Sequence, residues 1–252
     1  MSVPAVDVVV LTWNDPELAS IAVRSVLGSE GVNARVVVVD NGSKTPFVWT
    51  ASDPHVLVLR NEVNRGVAPG RAQGVRSTTA PVVCFLDSDA ELGPRSLATL
   101  VARLQGQVGV VVPVFVGQAP EASAGRAPSL RVKAERALGL RADYDSVPRP
   151  DNAPAWPVEF GIGACQLFSR VAYDEVGGLD ESIFYGPEDV EFCDRMRKGG
   201  FTIVQVADAE VLHPPRRAAR RPLSRAGLRH GWQLTRYYVR RTLQPASGPS
   251  GV

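Results

Sequence analysis

The sequence predicts an α/β protein built on a Rossmann-like, mostly parallel sheet with helices on both faces. Valine-rich runs of strand length alternate with segments that carry helix signals, which is typical of a parallel sheet covered by helices. Several of these runs end in polar or acidic residues. The composition of 44% hydrophobic and 21% charged residues is that of an ordinary globular chain, so disorder of the whole chain is not expected.

The first half of the chain opens with a strand and a helix. Residues 7–12 are dominated by β-branched side chains, and Asn14-Asp15-Pro16 follows shortly after them. Asn or Asp caps a helix and proline fits its first turn, so we predict a helix from here to about Leu27. The further elements predicted in this half are strands at residues 35–39, 56–59, 81–86 and 108–114, and helices at residues 67–77 and 94–104.

The second half begins with a long connection. Residues 118–157 are rich in Ala, Pro, Arg and Ser without a clear period, and we predict one helix within them near residues 130–140. Paired glycines end two later helices. The elements predicted after the connection are a strand at residues 160–168, helices at residues 170–176 and 187–198, short strands at residues 202–207 and 210–212, and a basic helix beyond residue 222 that leads into a Pro/Gly/Ser-rich tail.

The cysteines and the absence of a long apolar segment indicate the cellular compartment. Cys84, Cys165 and Cys193 are far apart, so neither a disulfide framework nor a cysteine-based zinc site is predicted. The N-terminus lacks the features of a signal peptide, and no run approaches the roughly 20 apolar residues that span a bilayer. We therefore expect a cytoplasmic protein, soluble or peripheral at the inner face of the cell membrane.

The charge is distributed unevenly. The formal net charge of +2 hides nine arginines within residues 216–241, which leave the rest of the chain acidic. Trp232, Tyr237 and Tyr238 lie among these arginines. Such a segment can contact anionic lipid, a nucleotide or a lipid pyrophosphate, or simply form a solvated helix face. No nucleic-acid fold motif accompanies it, so nucleic acid is not expected as a partner.

The strongest functional signal is a pair of acids at a strand end. The apolar run of residues 82–86 stops at Asp87-Ser88-Asp89. Two carboxylates at this spacing suit a divalent cation, although an Asp-x-Asp can equally open the turn into the next helix. Asp40 ends another valine-rich run, and parallel strands bring such ends to one edge of a sheet. The convergence favours a ligand site at that edge.

Two other acids and a histidine are candidates for the same chemistry. Glu188 and Asp189 open a predicted helix after the aromatic loop of residues 183–186. The helix dipole selects acids at that place, yet a carboxylate beside a loop can also act as a general base. His213 follows a β-run, and a lone histidine is more often structural, but its imidazole can complete a metal shell begun by Asp89.

Seven motifs occur in an order that identifies a family. They are residues 8–14 (VVVLTWN), 37–43 (VVVDNGS), 61–66 (NEVNRG), 85–89 (FLDSD), 177–181 (GGLDE) and 186–193 (GPEDVEFC), and finally His213. The chain resembles the family 2 glycosyltransferases of GT-A fold, especially the bacterial branch with rhamnosyltransferase-like enzymes.

The resemblance covers residues 6–215 and implies a division of the chain. We predict a GT-A domain over residues 1–215, with a donor-binding half at about 1–115 and an acceptor and catalytic half at about 116–215. Residues 216–252 are expected to form the basic helix and a flexible tail.

The resemblance implies an inverting sugar transfer from a nucleotide-diphosphate donor to a hydroxyl acceptor, assisted by Mg²⁺ or Mn²⁺. Thr12 and Asp40 would contact the nucleoside, with Asp40 facing the base, and Asp87 would lie near the ribose. Asp89 would ligate the metal, and His213 would add a contact to the metal or the diphosphate.

The resemblance also assigns the base and the remaining donor contacts. Asp189 would be the catalytic base, within the Glu188-Asp189 pair. The helix from Val67 departs from the family pattern, since it carries Pro69 and has Arg71 and Gln73 where the family often shows small residues and Asn. The remaining residues assigned to the nucleotide sugar are Asn14, Asn41, Asn64, Arg65, Gly66, Arg71 and Ser88.

The sequence leaves other functions open. A non-catalytic nucleotide-sugar or glycan-binding protein would keep the fold without turnover. A sugar nucleotidyltransferase would need a glycine-rich basic loop after the first strand, where this chain has Thr12-Trp13-Asn14-Asp15. The acceptor classes considered are a cell-envelope glycan, a lipid-linked intermediate and a secondary metabolite, and a homodimer is compatible with the sequence.

Overall fold

The computed structural model describes residues 3–50, 53–117, 123–129, 131–132, 135, 140, 145–214, 235 and 237–238. The predicted basic helix and tail at residues 216–252 fall outside the described residues, apart from Thr235, Tyr237 and Tyr238, as does most of the helix predicted near residues 130–140. The predicted contact with anionic membrane therefore stays a prediction. Among the described residues, no helix combines the length and apolar character needed to cross a bilayer.

Eleven strands and five helices have defined bounds, and the separately described residues Arg131, Val132, Glu135, Thr235, Tyr237 and Tyr238 are also helical. The strands are β1 (Ala5–Thr12), β2 (Asn33–Asp40), β3 (Val56–Arg60), β4 (Val82–Asp87), β5 (Glu91–Leu92), β6 (Val108–Val116), β7 (Ala124–Gly125), β8 (Ala155–Val158), β9 (Phe160–Gly161), β10 (Cys165–Ser169) and β11 (Thr202–Leu212). The helices are α1 (Pro16–Leu27), α2 (Val67–Arg76), α3 (Ser96–Val101), α4 (Arg170–Glu175) and α5 (Glu188–Lys198).

The central sheet is mostly parallel. Its strands follow the order β3-β2-β1-β4-β10-β6-β11-β5, with β8 also paired to β11. The first four strands are mutually parallel, and β10 runs antiparallel between β4 and β6. β6 and β11 are parallel to each other. The α/β class and the mostly parallel sheet predicted from the sequence are confirmed.

The long strands of the central sheet place alternate side chains in two hydrophobic cores, one on each face of the sheet. In β1, Val8 and Val10 face the core that includes α1 and α3. Val9 faces the opposite core, which includes α2, α4 and α5. The valine-rich strands are buried on both faces, as expected for strands between two helical layers. The prediction of helices on both faces is confirmed.

Helix α2 packs closely on β1 through two glycines. A Cβ atom added at Gly70 would lie 2.6 Å from Cδ1 of Leu11, and one at Gly74 would lie 2.3 Å from Cγ1 of Val9. Only glycine leaves room for this approach. The two glycines therefore bring the side chain of Arg71, on the same helix, under the end of the sheet.

The predicted elements differ from the structure in the second half. The strand predicted at residues 160–168 is split into β9 and β10, and β9 pairs with β7 in a separate small sheet. Gly161 and Gly163 lie at this break and are the signal for it in the sequence. The two short strands predicted at residues 202–212 form one strand, β11, whose register with β6 shifts between Val206 and Glu210.

The connection at residues 118–157 was predicted without strands, and that prediction is wrong for two segments. The structure places β7 and β8 there, and β8 pairs with β11. The two-residue strand β5 was also missed. Strands of two to four residues are too short for a period of two to be visible in the sequence. Their pairing partners are also distant in the chain, so no local pattern indicates them.

Candidate functional site

Three strands deliver their polar ends to one edge of the sheet. Thr12 at the end of β1 is paired with Asp40 at the end of β2, and Leu11 is paired with Asp87 at the end of β4. The predicted convergence of strand ends is therefore present. The chain turns sharply after β1, where the amide of Asn14 donates to Oγ of Ser43 at 2.8 Å.

Asp87, Asp89 and His213 form one group at this edge. One ligand atom from each lies within 4.8 Å of the other two. Nε2 of His213 is 3.5 Å from Oδ1 of Asp89, and both side chains are largely buried. The ring of His213 packs against Phe115, with 5.0 Å between ring centroids, which restricts its orientation. The structure thus brings together the two predicted metal ligands and adds Asp87.

The small strand β5 explains why His213 reaches the two acids. Val211 pairs with Leu92 and Leu212 with Glu91, so the end of β11 is tied to the chain just after Asp89. Two carboxylates and an imidazole are a donor set that suits Mg²⁺ or Mn²⁺. The side chains present therefore fit the predicted metal.

Asp40 is fully buried and holds the loop that follows β2. Its Oδ1 accepts from the amide of Ser43 at 2.9 Å, and its Oδ2 accepts from the amide of Phe47 at 2.8 Å and from the guanidinium of Arg60. Burial alone would raise the pKa of Asp40, but these hydrogen bonds and the charge of Arg60 outweigh it and lower the pKa. Its predicted contact with a base stays a prediction.

Asn41 links the end of β2 to the loop before α2. Its Nδ2 donates to Oδ1 of Asn64 at 3.1 Å and to the carbonyl of Gly66 at 2.9 Å. Its Oδ1 accepts from Nδ2 of Asn61 at 3.0 Å and from the amide of Arg65 at 3.1 Å. Four of the predicted donor-site residues thus form one hydrogen-bonded loop beside the strand ends, and their contact with a nucleotide stays a prediction.

Gly66 allows the aromatic loop of residues 183–186 to pack against the start of α2. Its φ angle is 100°, and an added Cβ would lie 2.5 Å from the carbonyl oxygen of Phe184. The same oxygen accepts from the amide of Val67 at 2.5 Å. The loop at residues 183–186 is thereby fixed next to the strand ends, and the acid pair that follows it is brought to the same region.

Arg71 lies between the strand-end acids and the acid pair. It is 3% exposed. Its Nη2 donates to Oδ1 of Asp87 at 2.6 Å and to the carbonyl of Gly163 at 2.7 Å. Its Nη1 is 3.6 Å from Oε1 of Glu188. Burial alone would lower the pKa of Arg71, but Asp87 and Glu188 outweigh it and raise the pKa, so the guanidinium stays charged.

Glu188 and Asp189 differ in exposure and in their partners. Burial, aided by the charge of Asp189, raises the pKa of Glu188 to about 7, against a smaller opposite effect of Arg71. The 3.6 Å separation from Arg71 exceeds a hydrogen bond, which is why the guanidinium offsets burial only in part. Asp189 is half-buried, and its Oδ2 accepts from the amide of Gly163 at 3.3 Å.

The remaining predicted residues lie on the rim of this site. Arg65 is exposed and donates to Oε1 of Gln73 at 3.3 Å. Ser88 is half-buried between the two strand-end acids.

Gly163 was not among the predicted residues, although its backbone contacts both Arg71 and Asp189. It contributes no functional side chain, so only its place in the glycine-interrupted run of residues 160–168 could have indicated it.

A comparison with protein families decides the identity of the chain. The family model described as Glycosyl transferase family 2 matches residues 7–177, which is more than half of the sequence. The chain belongs to glycosyl transferase family 2. The family predicted from the sequence motifs is therefore confirmed.

Curated relatives in this glycosyltransferase family cover part of the same region. A low-salt glycan biosynthesis hexosyltransferase of Haloferax volcanii is 23% identical over 184 residues, which are 71% of this chain and 59% of the relative. A pre-mycofactocin glycosyltransferase of Mycobacterium tuberculosis is 31% identical over 191 residues, which are 72% of this chain and 38% of the relative. An N-acetylglucosaminyl-diphospho-decaprenol L-rhamnosyltransferase of M. tuberculosis is 47% identical over 57 residues, 23% of this chain and 19% of the relative. The chain thus spans less than two thirds of the length of these relatives.

Solved glycosyltransferases share the fold. GalNAc-T7 in a crystal structure with UDP, GalNAc and Mn²⁺ superimposes with a TM-score of 0.70 at 18% identity, covering 95% of this chain and 47% of the other. A mannosyltransferase from Pyrobaculum calidifontis in complex with GDP-Man and Mn²⁺ gives a TM-score of 0.64 at 19% identity, covering 86% of this chain and 59% of the other. These matches confirm the predicted GT-A fold.

Replacement of Asp40 by Asn should destabilise this family 2 chain at neutral pH. One oxygen would become an NH2 group, which would face either the amide of Ser43 or the amide of Phe47 and Arg60 as a second donor, and Arg60 would lose its charged partner. The expected cost is about 1–3 kcal/mol in the free energy of unfolding. Because the pKa of Asp40 is lowered from 3.8, the native carboxylate stabilises the fold above that pH, and the benefit is lost as the pH falls through the lower value. Urea unfolding at several pH values checks this.

The exposed acid Asp208 provides the control for that experiment, since Asp208→Asn should leave the unfolding midpoint nearly unchanged. A loss of stability in Asp40→Asn that stays constant when the pH drops well below 3.8 would contradict the account of its buried carboxylate.

Replacement of Glu188 by Gln should stabilise the chain at alkaline pH. The pKa of Glu188 is raised from 4.5 to about 7, so the folded state is penalised as this carboxyl ionises, and stability is lost between those two pH values. Glu188→Gln should therefore gain stability over the wild type at pH 8, and the gain should disappear near pH 4.5. Thermal unfolding across this range, with the exposed Glu30→Gln as control, measures it. A pH-independent difference would argue against a buried carboxyl that titrates near neutrality.

Proposed function

We propose that the chain transfers a sugar from a nucleotide-diphosphate donor to a hydroxyl acceptor with inversion at the anomeric carbon. The observation that supports this best is the meeting of Asp87, Asp89 and His213 at the carboxyl edge of the sheet. In open α/β sheets that edge is where ligands bind. The acid pair Glu188-Asp189 reaches the same region through Arg71 and Gly163.

The donor side of the site would neutralise the negative charge of the leaving group. Asp89 and His213, with Asp87 beside them, would hold Mg²⁺ or Mn²⁺. Such a cation, when bound, supplies positive charge for the nucleoside diphosphate that departs. The structural neighbours solved with UDP and Mn²⁺ or with GDP-Man and Mn²⁺ support a donor of this class, although they share only the fold with this chain.

The acceptor side would supply the base. The acceptor hydroxyl is a poor nucleophile at neutral pH, and a carboxylate within hydrogen-bond reach can remove its proton as it attacks. Asp189 is suited to this because it is half-buried and is oriented by the amides of Gly163 and Val190. Attack from the face opposite the diphosphate inverts the stereochemistry.

The positions of the strand ends and loops support the proposed nucleoside contacts. Thr12 and Asp40 end adjacent strands, and the loop held by Asn41 lies beside them. We propose that these residues contact the nucleoside. The remaining proposed donor contacts are Asn14, Asn64, Arg65, Gly66 and Ser88.

We propose an acceptor with a hydroxyl group on a cell-envelope glycan, a lipid-linked intermediate or a small metabolite. The names of the relatives support these classes, since one acts in glycan biosynthesis, one is named for a diphospho-decaprenol and one for pre-mycofactocin. The half of the chain from residue 116 to residue 215 is the region proposed to bind it.

A donor screen tests the proposal directly. UDP-, GDP- and dTDP-sugars with Mn²⁺ or Mg²⁺ should raise the thermal unfolding midpoint for one nucleotide class only, because a ligand that binds the folded state stabilises it. The shift should require the metal and should vanish in Asp89→Ala. The exposed acid Asp208 provides the control, and Asp208→Ala should respond as the wild type does. A shift that survives in Asp89→Ala or without metal would contradict the metal assignment.

Loss of the proposed base should affect turnover more than binding. Asp189→Asn keeps the shape of the side chain but cannot accept the proton, so kcat should fall by about 10²–10⁴-fold. Donor affinity, measured by calorimetry with the nucleotide selected in the screen, should change little. A variant that loses donor affinity but keeps kcat would show that Asp189 has another role.

A further inference from the structure

One guanidinium contacts both groups of acids in the proposed site. Nη2 of Arg71 donates to Asp87 at 2.6 Å, on the donor side, and Nη1 lies 3.6 Å from Glu188, on the side of the acid pair. The side chain is 97% withdrawn from solvent, since Arg71 is 3% exposed. Its contacts are therefore with protein groups in a dry environment, where a charged hydrogen bond is strongest.

The backbone of Gly163 extends this contact to Asp189. Its carbonyl accepts from Nη2 of Arg71 at 2.7 Å, and its amide donates to Oδ2 of Asp189 at 3.3 Å. A Cβ atom at Gly163 would lie 2.5 Å from Nη1 and 3.1 Å from Nη2 of Arg71. Only glycine at this position lets the guanidinium reach the backbone.

The shape of the guanidinium matters as well as its charge. Nη2 of the planar guanidinium donates to both Asp87 and the carbonyl of Gly163, while Nη1 lies 3.6 Å from Glu188. The ammonium of lysine has a single nitrogen on a flexible stem and cannot hold both of these positions. Packing restricts the position of the guanidinium. Gly70 and Gly74 hold α2 against β1, and the guanidinium lies 5.3 Å from the ring centroid of Phe85.

We infer that Arg71 is a positioning residue that orients Asp87 for the metal and donor and, through the backbone of Gly163, orients Asp189 for proton transfer. The inference rests on the proposed function. It differs from the donor contact that the family resemblance implies for Arg71, because the guanidinium is buried and already bonded to two protein groups. One side chain would then set the geometry of both halves of the reaction.

The test replaces Arg71 by Lys and uses Arg170→Lys as the matched control. Arg170 is a partly buried arginine on the same side of the sheet, and it donates to the carbonyls of Val75 and Thr78 and to the hydroxyl of Thr78. The first readout is the affinity for Mn²⁺ in the presence of UDP, GDP or dTDP, followed by the electron paramagnetic resonance of free Mn²⁺. Arg71→Lys should weaken it by about 10–100-fold, as the loss of a residue that orients a metal ligand does. Arg170→Lys should not.

Gly163→Ala tests the same link without changing any charge, and it keeps the inference falsifiable if Arg71→Lys fails to fold. The added methyl group should displace the guanidinium. Gly163→Ala and Arg71→Lys should therefore both show weaker Mn²⁺ affinity and a lower kcat than the wild type. Gly28→Ala provides the control, because a Cβ there would meet nothing closer than the carbonyl of Arg24 at 3.3 Å. Normal Mn²⁺ affinity and kcat in a folded Gly163→Ala would overturn the inference.

A double-mutant cycle tests the connection to the base. If Arg71 acts on turnover in part through Asp189, the fold-loss of kcat caused by Arg71→Lys, measured at saturating Mn²⁺ and donor, should be smaller in the Asp189→Asn background than in the wild type. Fully additive losses would overturn this half of the inference. Asp89→Ala separates the two proposals. If Asp89→Ala leaves the Mn²⁺ affinity unchanged, the proposed metal site is wrong. If Asp89→Ala abolishes Mn²⁺ binding while Arg71→Lys retains the wild-type affinity, only the proposed role of Arg71 is wrong.

Discussion

The arrangement of this site depends on the placement of one buried positive charge among several carboxylates. Asp87, Glu188 and Asp189 come from two distant parts of the chain, and carboxylates brought so close together repel one another in a dry environment. The guanidinium of Arg71 bonds to the first and lies near the second. The pKa of Glu188 nevertheless stays raised to about 7, because burial and Asp189 outweigh the attraction of Arg71. At Glu188, burial therefore prevails over the attraction of the nearby guanidinium.

The backbone places this charge as much as the side chains do. Close packing of α2 on β1 through Gly70 and Gly74 fixes the distance of Arg71 from the sheet. The break between β9 and β10 turns the backbone of Gly163 toward it. On the other flank, the short strand β5 ties the end of β11 to the loop after Asp89, so that His213 arrives beside the acids. Glycines and a two-residue strand thus decide where the functional groups meet.

Much of this architecture could be predicted from local patterns in the sequence. Strands that are buried on both faces appear in the sequence as valine-rich runs, and acids follow at the ends of these runs. The strands β1, β2 and β4, and the positions of Asp40 and Asp87 at strand ends, were therefore predicted correctly. The order of the motifs then identified the family. The contacts of Arg71 could not be predicted in this way, because its partners Asp87, Gly163 and Glu188 are brought to it only by the tertiary fold. The same holds for β5 and β8, whose pairing with β11 joins segments that are far apart in the chain.

The central claim is that the strand-end acids and His213 hold a metal-bound donor within reach of Asp189. The most direct test is a crystal structure of the chain with Mn²⁺ and a nucleoside diphosphate, with the metal located by its anomalous scattering. The account predicts an anomalous peak among Asp87, Asp89 and His213, with the diphosphate between that peak and Asp189. A peak at another place, or a nucleotide bound away from the ends of β1, β2 and β4, would contradict it.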